Sequence, residues 1–117
     1  MKTYYLASPY SHDDPKIRKF RGEKAEAAFS YLASQGLVLY SPIASCWRLT
    51  NVPSGFDFWK VLDLEMINRL DALIVLELWG WEDSIGVIAE LKYAREKGKE
   101  IFFCDPNTFF LTPEVNE

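Results

Sequence analysis

The sequence predicts a single-domain α/β fold: a flavodoxin- or Rossmann-like three-layer αβα sandwich on a mostly parallel sheet of four to five strands. Three observations carry this expectation. Short apolar runs alternate with longer segments of helical period, in the order β-α-β-α-β-α-β. The helical segments are long enough to act as crossovers, and crossovers between parallel strands are right-handed and set helices on both faces of the sheet. The chain has 117 residues, 49% of them hydrophobic, which is room for one core and too little for two. Residues 1–117 are therefore expected to form one domain.

Each element has a local reason. Thr3 to Ala7 is a short apolar run closed by Ser8-Pro9; proline cannot donate to a sheet ladder, so the run reads as a buried strand with a firm end. After the polar SHDDP, Pro15 suits the first turn of a helix, where an N–H has no acceptor anyway. Ile17, Phe20, Ala27, Ala28, Tyr31 and Leu32 then recur at helical spacing until Gly36 stops the helix. Leu37 to Tyr40 makes a second strand, ended by Ser41-Pro42. From Ile43 to Gly55 no period is visible and Pro53-Ser54-Gly55 breaks the chain, so a long loop is expected. Trp59, Leu62, Met66, Ile67 and Leu70 restore the helical period over Phe56 to Leu70. Ala72 to Leu78 is almost wholly apolar, as a central strand covered on both faces must be. The turn GWEDS leads into a third long helix that ends near Gly98, and Glu100 to Cys104 forms a fourth strand before Asp105-Pro106.

Composition narrows the function. A formal net charge of −4 gives no general attraction to a nucleic acid polymer or an acidic membrane surface. Cys46 and Cys104 are far apart and His12 is the lone histidine, which argues against a disulfide scaffold and a zinc site; no metal or cofactor is expected. No run approaches the roughly 20 apolar residues of a membrane span, and the apolar run in MKTYYLASPYS is too short for a signal peptide. A cytoplasmic setting is the expectation.

In such sheets ligands bind outside the carboxyl ends of the strands, where SPYSH, SPIASCW, GWEDS and CDPN are expected to gather. If Asp83 or Ser84 caps the third long helix, the first free N–H groups beyond it favour an anion such as phosphate. Val87, Leu91 and Ala94 make the buried stripe of that helix, and Glu90 lies about 60° from its centre, at the border of the core. Gly86, one turn before, leaves space beside the carboxylate. On spacing alone Glu90 reads first as a flanking charge paired with Lys97 or Lys92, and Ser84 as a plain cap. Asp63 is a second acid within an apolar helix; burying it unpaired is costly, so it either pairs with Lys60 at the surface or has a use. Asp71 reads as a strand-entry residue.

Together, YLASPYS, DLEMINRLDALIVLEL and SIGVIAELKYA resemble the nucleoside 2-deoxyribosyltransferase-like superfamily, in particular its branch of 2′-deoxynucleoside 5′-monophosphate N-glycosidases. Small bacterial and phage proteins of that kind share SPYS, the GW turn and the S-x-G-x-x-x-E helix. The resemblance implies Glu90 as nucleophile and Asp63 as the second catalytic carboxylate. It places Ser84 and Gly86 at the start of the catalytic helix, and Ser8, Tyr10 and Ser11 in the first-strand loop that packs on the nucleobase. Tyr10, Trp47 or Trp59 would stack on the base. Ser84 in place of an acid suits a phosphate, whereas the arginine that the glycosidases carry in the first loop is replaced by Ser11-His12; Arg18 or Arg21 would have to substitute. The implied ligand is a small nucleotide or nucleoside, and the implied assembly a homodimer or higher homo-oligomer. Two other readings stay open: a nucleotide- or sugar-phosphate-binding module without turnover, and a structural protein that associates through Trp79 and Trp81.

Overall fold

The alternating apolar runs fold as a five-stranded sheet in a computed structural model that describes residues 1–53 and 56–115. The order is β1 (Thr3–Ala7), α1 (Pro15–Ser34), β2 (Val38–Tyr40), α2 (Pro42–Cys46), α3 (Phe56–Arg69), β3 (Ala72–Leu76), a 3₁₀ turn (Trp81–Asp83), α4 (Ile85–Glu96), β4 (Glu100–Cys104) and β5 (Leu111–Pro113). The strands lie in the order β2-β1-β3-β4-β5. All neighbours are parallel except β4 and β5. This is the doubly wound order whose switch point falls between β1 and β3.

The register divides the core. Tyr5 pairs with Leu73, Leu6 with Ile74 and Ala7 with Val75. Because strand side chains alternate, Tyr5, Ala7, Leu73 and Val75 face one way, onto Ile67 of α3 and Val87, Leu91 and Ala94 of α4. Leu6, Ile74, Leu76 and Cys104 face the other, onto Ala28 and Leu32 of α1. β3 is buried along its whole length, which accounts for its unbroken apolar sequence. Each fully buried Leu, Ile or Val contributes about 1.5–3 kcal/mol. At the amino edge Asp71 accepts from Thr3 N (2.8 Å) and Thr3 Oγ1 (3.0 Å), tying the start of β1 to that of β3.

Helix ends follow the expected signals, with one correction. Asp14 caps α1 by accepting from Lys16 N (2.9 Å), and Gly36 takes the left-handed conformation (φ 94°) beyond its end. The expected loop from Ile43 to Gly55 instead opens with α2: Ser41 accepts from Ala44 N (3.0 Å) and Pro42 occupies the first turn. Five residues are too few to show a period, so only the Ser-Pro start signal was available. Ser54 and Gly55 lie outside the described residues. β3 stops at Leu76 rather than Leu78, because Leu78 N turns back to Leu76 O (2.8 Å). The short antiparallel β5 has no period to betray it either.

α2 is clamped to α1 by one close fit. A Cβ at Gly22 would overlap the Trp47 indole, so the ring lies directly on the α1 backbone. Trp47 Nε1 donates to Glu26 (3.0 Å), and the Arg48 guanidinium, paired with the same carboxylate, covers the ring at 4.2 Å. Gly22→Ala is therefore expected to destabilise the protein by about 1–3 kcal/mol, an overpacking cost that outweighs the helix propensity gained. Urea unfolding followed by tryptophan fluorescence measures it; a midpoint at or above the parent's would contradict the packing described.

Candidate active site

Three of the four loops at the carboxyl edge converge on a cavity of about 510 Å³. β1 ends in Ser8, Tyr10 and Ser11; β2 leads into Pro42, Ile43, Cys46 and Trp47; the turn after β3 delivers Ser84 and Gly86. α3 contributes Trp59, Lys60, Asp63 and Leu64, and α4 contributes Ala89 and Glu90. CDPN is not among the lining residues: Asp105 accepts from Asn107 N (2.8 Å) and Thr108 N (2.9 Å) and closes its own turn.

The cavity has two ends of different character. Pro42, Ile43, Leu49, Val52 and Pro53, with Trp47 and Trp59, form a wall of aliphatic and aromatic groups that also takes in Cys46 and Thr50. Ser8, Asp63, Ser84 and Glu90 form the polar end. Such a split, with a few convergent polar groups against apolar walls, suits a small ligand having one flat and one polar part.

Glu90 sits at the base of the polar end. Helical spacing puts it on α4 beside the buried stripe, and it is only 8% exposed. Its partner is neither Lys92 nor Lys97 but Tyr5, whose hydroxyl donates to Glu90 Oε2 across the β1–α4 interface. Tyr5 is fully buried, and in the sequence it reads as one more strand residue. A buried tyrosine hydroxyl needs a partner, which was the signal available. Asp63 approaches Glu90 and Tyr5 from α3, near enough for the three groups to influence one another's ionisation.

Two carboxyls in one dry corner cannot both ionise at ordinary pH. Burial raises Glu90 well above the usual carboxylate range; the Tyr5 hydroxyl pulls it partly back, and Asp63 pushes it up again. Burial likewise raises Asp63, against the lowering effect of its contacts with Glu90 and Tyr5. The pair therefore tends to share a proton and titrates as a unit. Burial and the nearby Glu90 charge also hold Tyr5 well above its ordinary value, so it stays a donor.

Two buried side-chain atoms lack any hydrogen-bond partner among the described residues, Ser8 Oγ and Asp63 Oδ1, and both residues line this cavity. Orphaned buried polar atoms are costly and rare in native proteins; here they stand where a ligand would meet them. Ser84 caps α4, accepting from Val87 N (3.3 Å), so the first amides of the helix remain open beside the cavity. A Cβ at Gly86 would meet nothing within 4 Å, so its missing side chain leaves space at the lining rather than allowing a close packing contact.

Other candidates fall elsewhere. Arg21 does not line the cavity: it is buried behind the loops, with NH1 donating to Ser11 O (2.9 Å) and NH2 to Trp79 O (3.2 Å). Arg18 is likewise spent on the carbonyls of His12 and Asp13. Lys60 is the one cation among the lining residues. Trp79 is 83% exposed, whereas Trp81 packs on Phe103 at 5.7 Å, and the cavity is lined by Ser84 and Gly86 just beyond their turn. Among the described residues no group of three or more His, Cys, Asp or Glu is placed to hold a metal ion, and no helix is long and apolar enough to cross a membrane.

Residues 2–105 match the family DUF1937, described as a domain of unknown function. No protein of curated function matches the chain. Among solved structures, it is similar to a 2-deoxyribosyltransferase from the psychrotolerant bacterium Bacillus psychrosaccharolyticus, with 25% identity and a TM-score of 0.60 over 98% of this chain and 77% of that one. It is also similar in fold to a 2-deoxyribosyltransferase from Leishmania mexicana, with 23% identity and a TM-score of 0.56 over 89% of this chain and 64% of that one. The fold is thus nucleoside 2-deoxyribosyltransferase-like, as the sequence resemblance implied.

The raised Glu90 carboxyl makes a stability prediction. Its folded value lies above its unfolded one, so its contribution is fully present below the unfolded value near 4.5 and is lost as pH rises through the folded value. Glu90→Gln, which keeps the shape without the charge, is expected to melt higher than the parent at about pH 8, with a smaller gap at about pH 5. Melting curves at the two pH values test this; an unchanged gap would show that Glu90 is not held in a dry corner.

Proposed function

This chain belongs to the DUF1937 family, and we propose that it cleaves the N-glycosidic bond of a nucleoside or nucleoside 5′-monophosphate, preferably a 2-deoxy one, with Glu90 as nucleophile. The observation that carries this reading is the meeting of a buried Glu90, a second acid and both orphaned polar atoms in one cavity. The names of the two similar solved structures support the reaction class.

The sugar lies at the polar end, with its anomeric carbon over Glu90. The Glu90 carboxylate bonds to that carbon as the bond to the base nitrogen breaks; the electron pair leaves with the base, and the proton shared with Asp63 is passed to it. Water, or a second base, then attacks the anomeric carbon, gives up its proton to the ionised Asp63 and frees the Glu90 carboxylate, giving hydrolysis or transfer. The Tyr5 hydroxyl stabilises the ionised form that attacks. The base rests among Tyr10, Trp59 and the aliphatic wall rather than on Trp47, whose ring is held between Gly22 and Arg48, and Ser8 Oγ meets a polar group of the ligand. A 5′-phosphate suits Ser84, which adds no charge to repel it, and the first turn of α4, with Lys60 a cation on the same cavity. Exposed Phe58, Val61 and Leu62 of α3 and Ile85 and Ile88 of α4 lie on the two helices that also line the cavity, and this apolar surface supports a homo-oligomer.

One observation favours the binding-module reading: burial keeps Glu90 inclined to be neutral in the empty cavity. Incubation with a panel of deoxynucleosides and their monophosphates, with and without a second base, separates the two. Base release is expected from a deoxynucleoside monophosphate, falling by about 10³-fold or more in Glu90→Ala. Equal release by both proteins removes Glu90 from the mechanism, and binding without release by the parent supports the module.

The Tyr5 hydrogen bond favours ionised Glu90, so Tyr5→Phe should raise the Glu90 value further. A charge-assisted hydrogen bond of about 1.5–3 kcal/mol corresponds to about one to two pH units. The acid limb of the kcat/KM profile is expected to move upward by that order in Tyr5→Phe. A limb that stays in place would mean that Glu90 ionisation does not govern the rate.

A further inference from the structure

The loop after β1 and the turn after β3 meet at the mouth of the cavity, and Arg21 of α1 joins them. This guanidinium is 6% exposed and has no carboxylate partner among the described residues. Its two recorded acceptors are backbone carbonyls on opposite lips: Ser11, whose residue lines the cavity, and Trp79, which begins the turn to Ser84. That turn is stiff: Trp81 N bonds to Leu78 O (3.0 Å), Asp83 N to Gly80 O (3.1 Å) and Ser84 N to Trp81 O (3.1 Å). Holding Trp79 therefore holds the cap of α4. Gly80, with φ 89°, leaves room for the guanidinium: a Cβ there would stand 2.9 Å from Arg21 NH2.

Burying a guanidinium without a counter-ion is a poor way to gain stability, since an apolar side chain would fill the space without the desolvation cost. What arginine offers is a planar fork whose separate N–H groups reach two acceptors at once, which an ammonium on a flexible stem does not reproduce. We propose that Arg21 is a positioning residue that fixes the β1 loop and the β3 turn relative to each other, and so sets the spacing of the polar end of the cavity. Its effect on turnover rests on the glycosidase reading above; its effect on the two lips does not.

The test has two arms. Amide hydrogen exchange on the parent, Arg21→Ala and Arg21→Lys needs no substrate: exchange is expected to rise in both variants at the 8–13 and 79–86 segments together, with β3 and β4 unchanged. Exchange that rises in one lip alone, in neither, or throughout the molecule overturns the proposal. In the second arm, base release from a deoxynucleoside monophosphate is expected to drop at least tenfold in kcat/KM in both variants. Millimolar methylguanidinium should partly restore Arg21→Ala, leaving the parent unaffected. Rescue is the readout that a merely destabilising substitution would not show, and its absence overturns the proposal. Should the parent release no base, the glycosidase reading fails while the exchange arm still decides the role of Arg21.

Discussion

The arrangement depends on the burial of Glu90 against the Tyr5 hydroxyl. A carboxyl at that depth is tolerable only with a donor at hand and with a proton nearby, and Tyr5 and Asp63 supply these from β1 and α3. Three elements far apart in sequence are thereby tied at one point just inside the carboxyl edge of the sheet. Were Glu90 a surface charge, α4 would need no particular rotation against β1. Its buried stripe of Val87, Leu91 and Ala94 admits Glu90 as a fourth member only because that donor exists.

The two faces of the sheet divide the work. On one, α3 and α4 bring the acids to Tyr5, and their packing on Leu73, Val75 and Ile101 fixes the carboxyls to the main core. On the other, α1 braces the loops. Arg21 grips the lips after β1 and β3, while Gly22 and Glu26, within two turns of it, seat Trp47 from the segment after β2. A helix that contributes no lining residue thus touches each of the three loops that form the cavity. The acids are held by buried packing and the binding groups by directed hydrogen bonds, which lets the site combine a rigid reaction corner with a shaped mouth.

Much of the fold was legible in the chain. β1, α1 and β4 end within two residues of their sequence signals, since Ser8-Pro9, Pro15, Gly36 and Asp105-Pro106 act through backbone geometry that needs no partner. α2 and β5 were not legible, because five and three residues carry no period. In the site, the position of Glu90 beside the core followed from helical spacing, and Asp63 stood out as an acid in an apolar stretch. Tyr5 was hidden by its resemblance to any other strand residue. Arg21 reads from the sequence as a substitute for the first-loop arginine of the glycosidases, whereas the guanidinium finds its partners in carbonyls that only the folded chain supplies.

The sequence by itself determined the alternation of strand and helix, the apolar stripe of each helix, and the capped helix start beside Glu90. These are consequences of local geometry, in which each residue's neighbours along the chain settle where its side chain points. Only the tertiary structure decided that Glu90 would meet Tyr5 and Asp63, that Ser8 and Asp63 would be left with unpaired atoms in a common cavity, and that Arg21 would serve the loops from behind. Those outcomes depend on contacts across 85 residues for Tyr5 and Glu90 and 58 for Arg21 and Trp79. Burial and hydrogen-bond satisfaction are properties of the packed whole, and no periodicity in the chain encodes them.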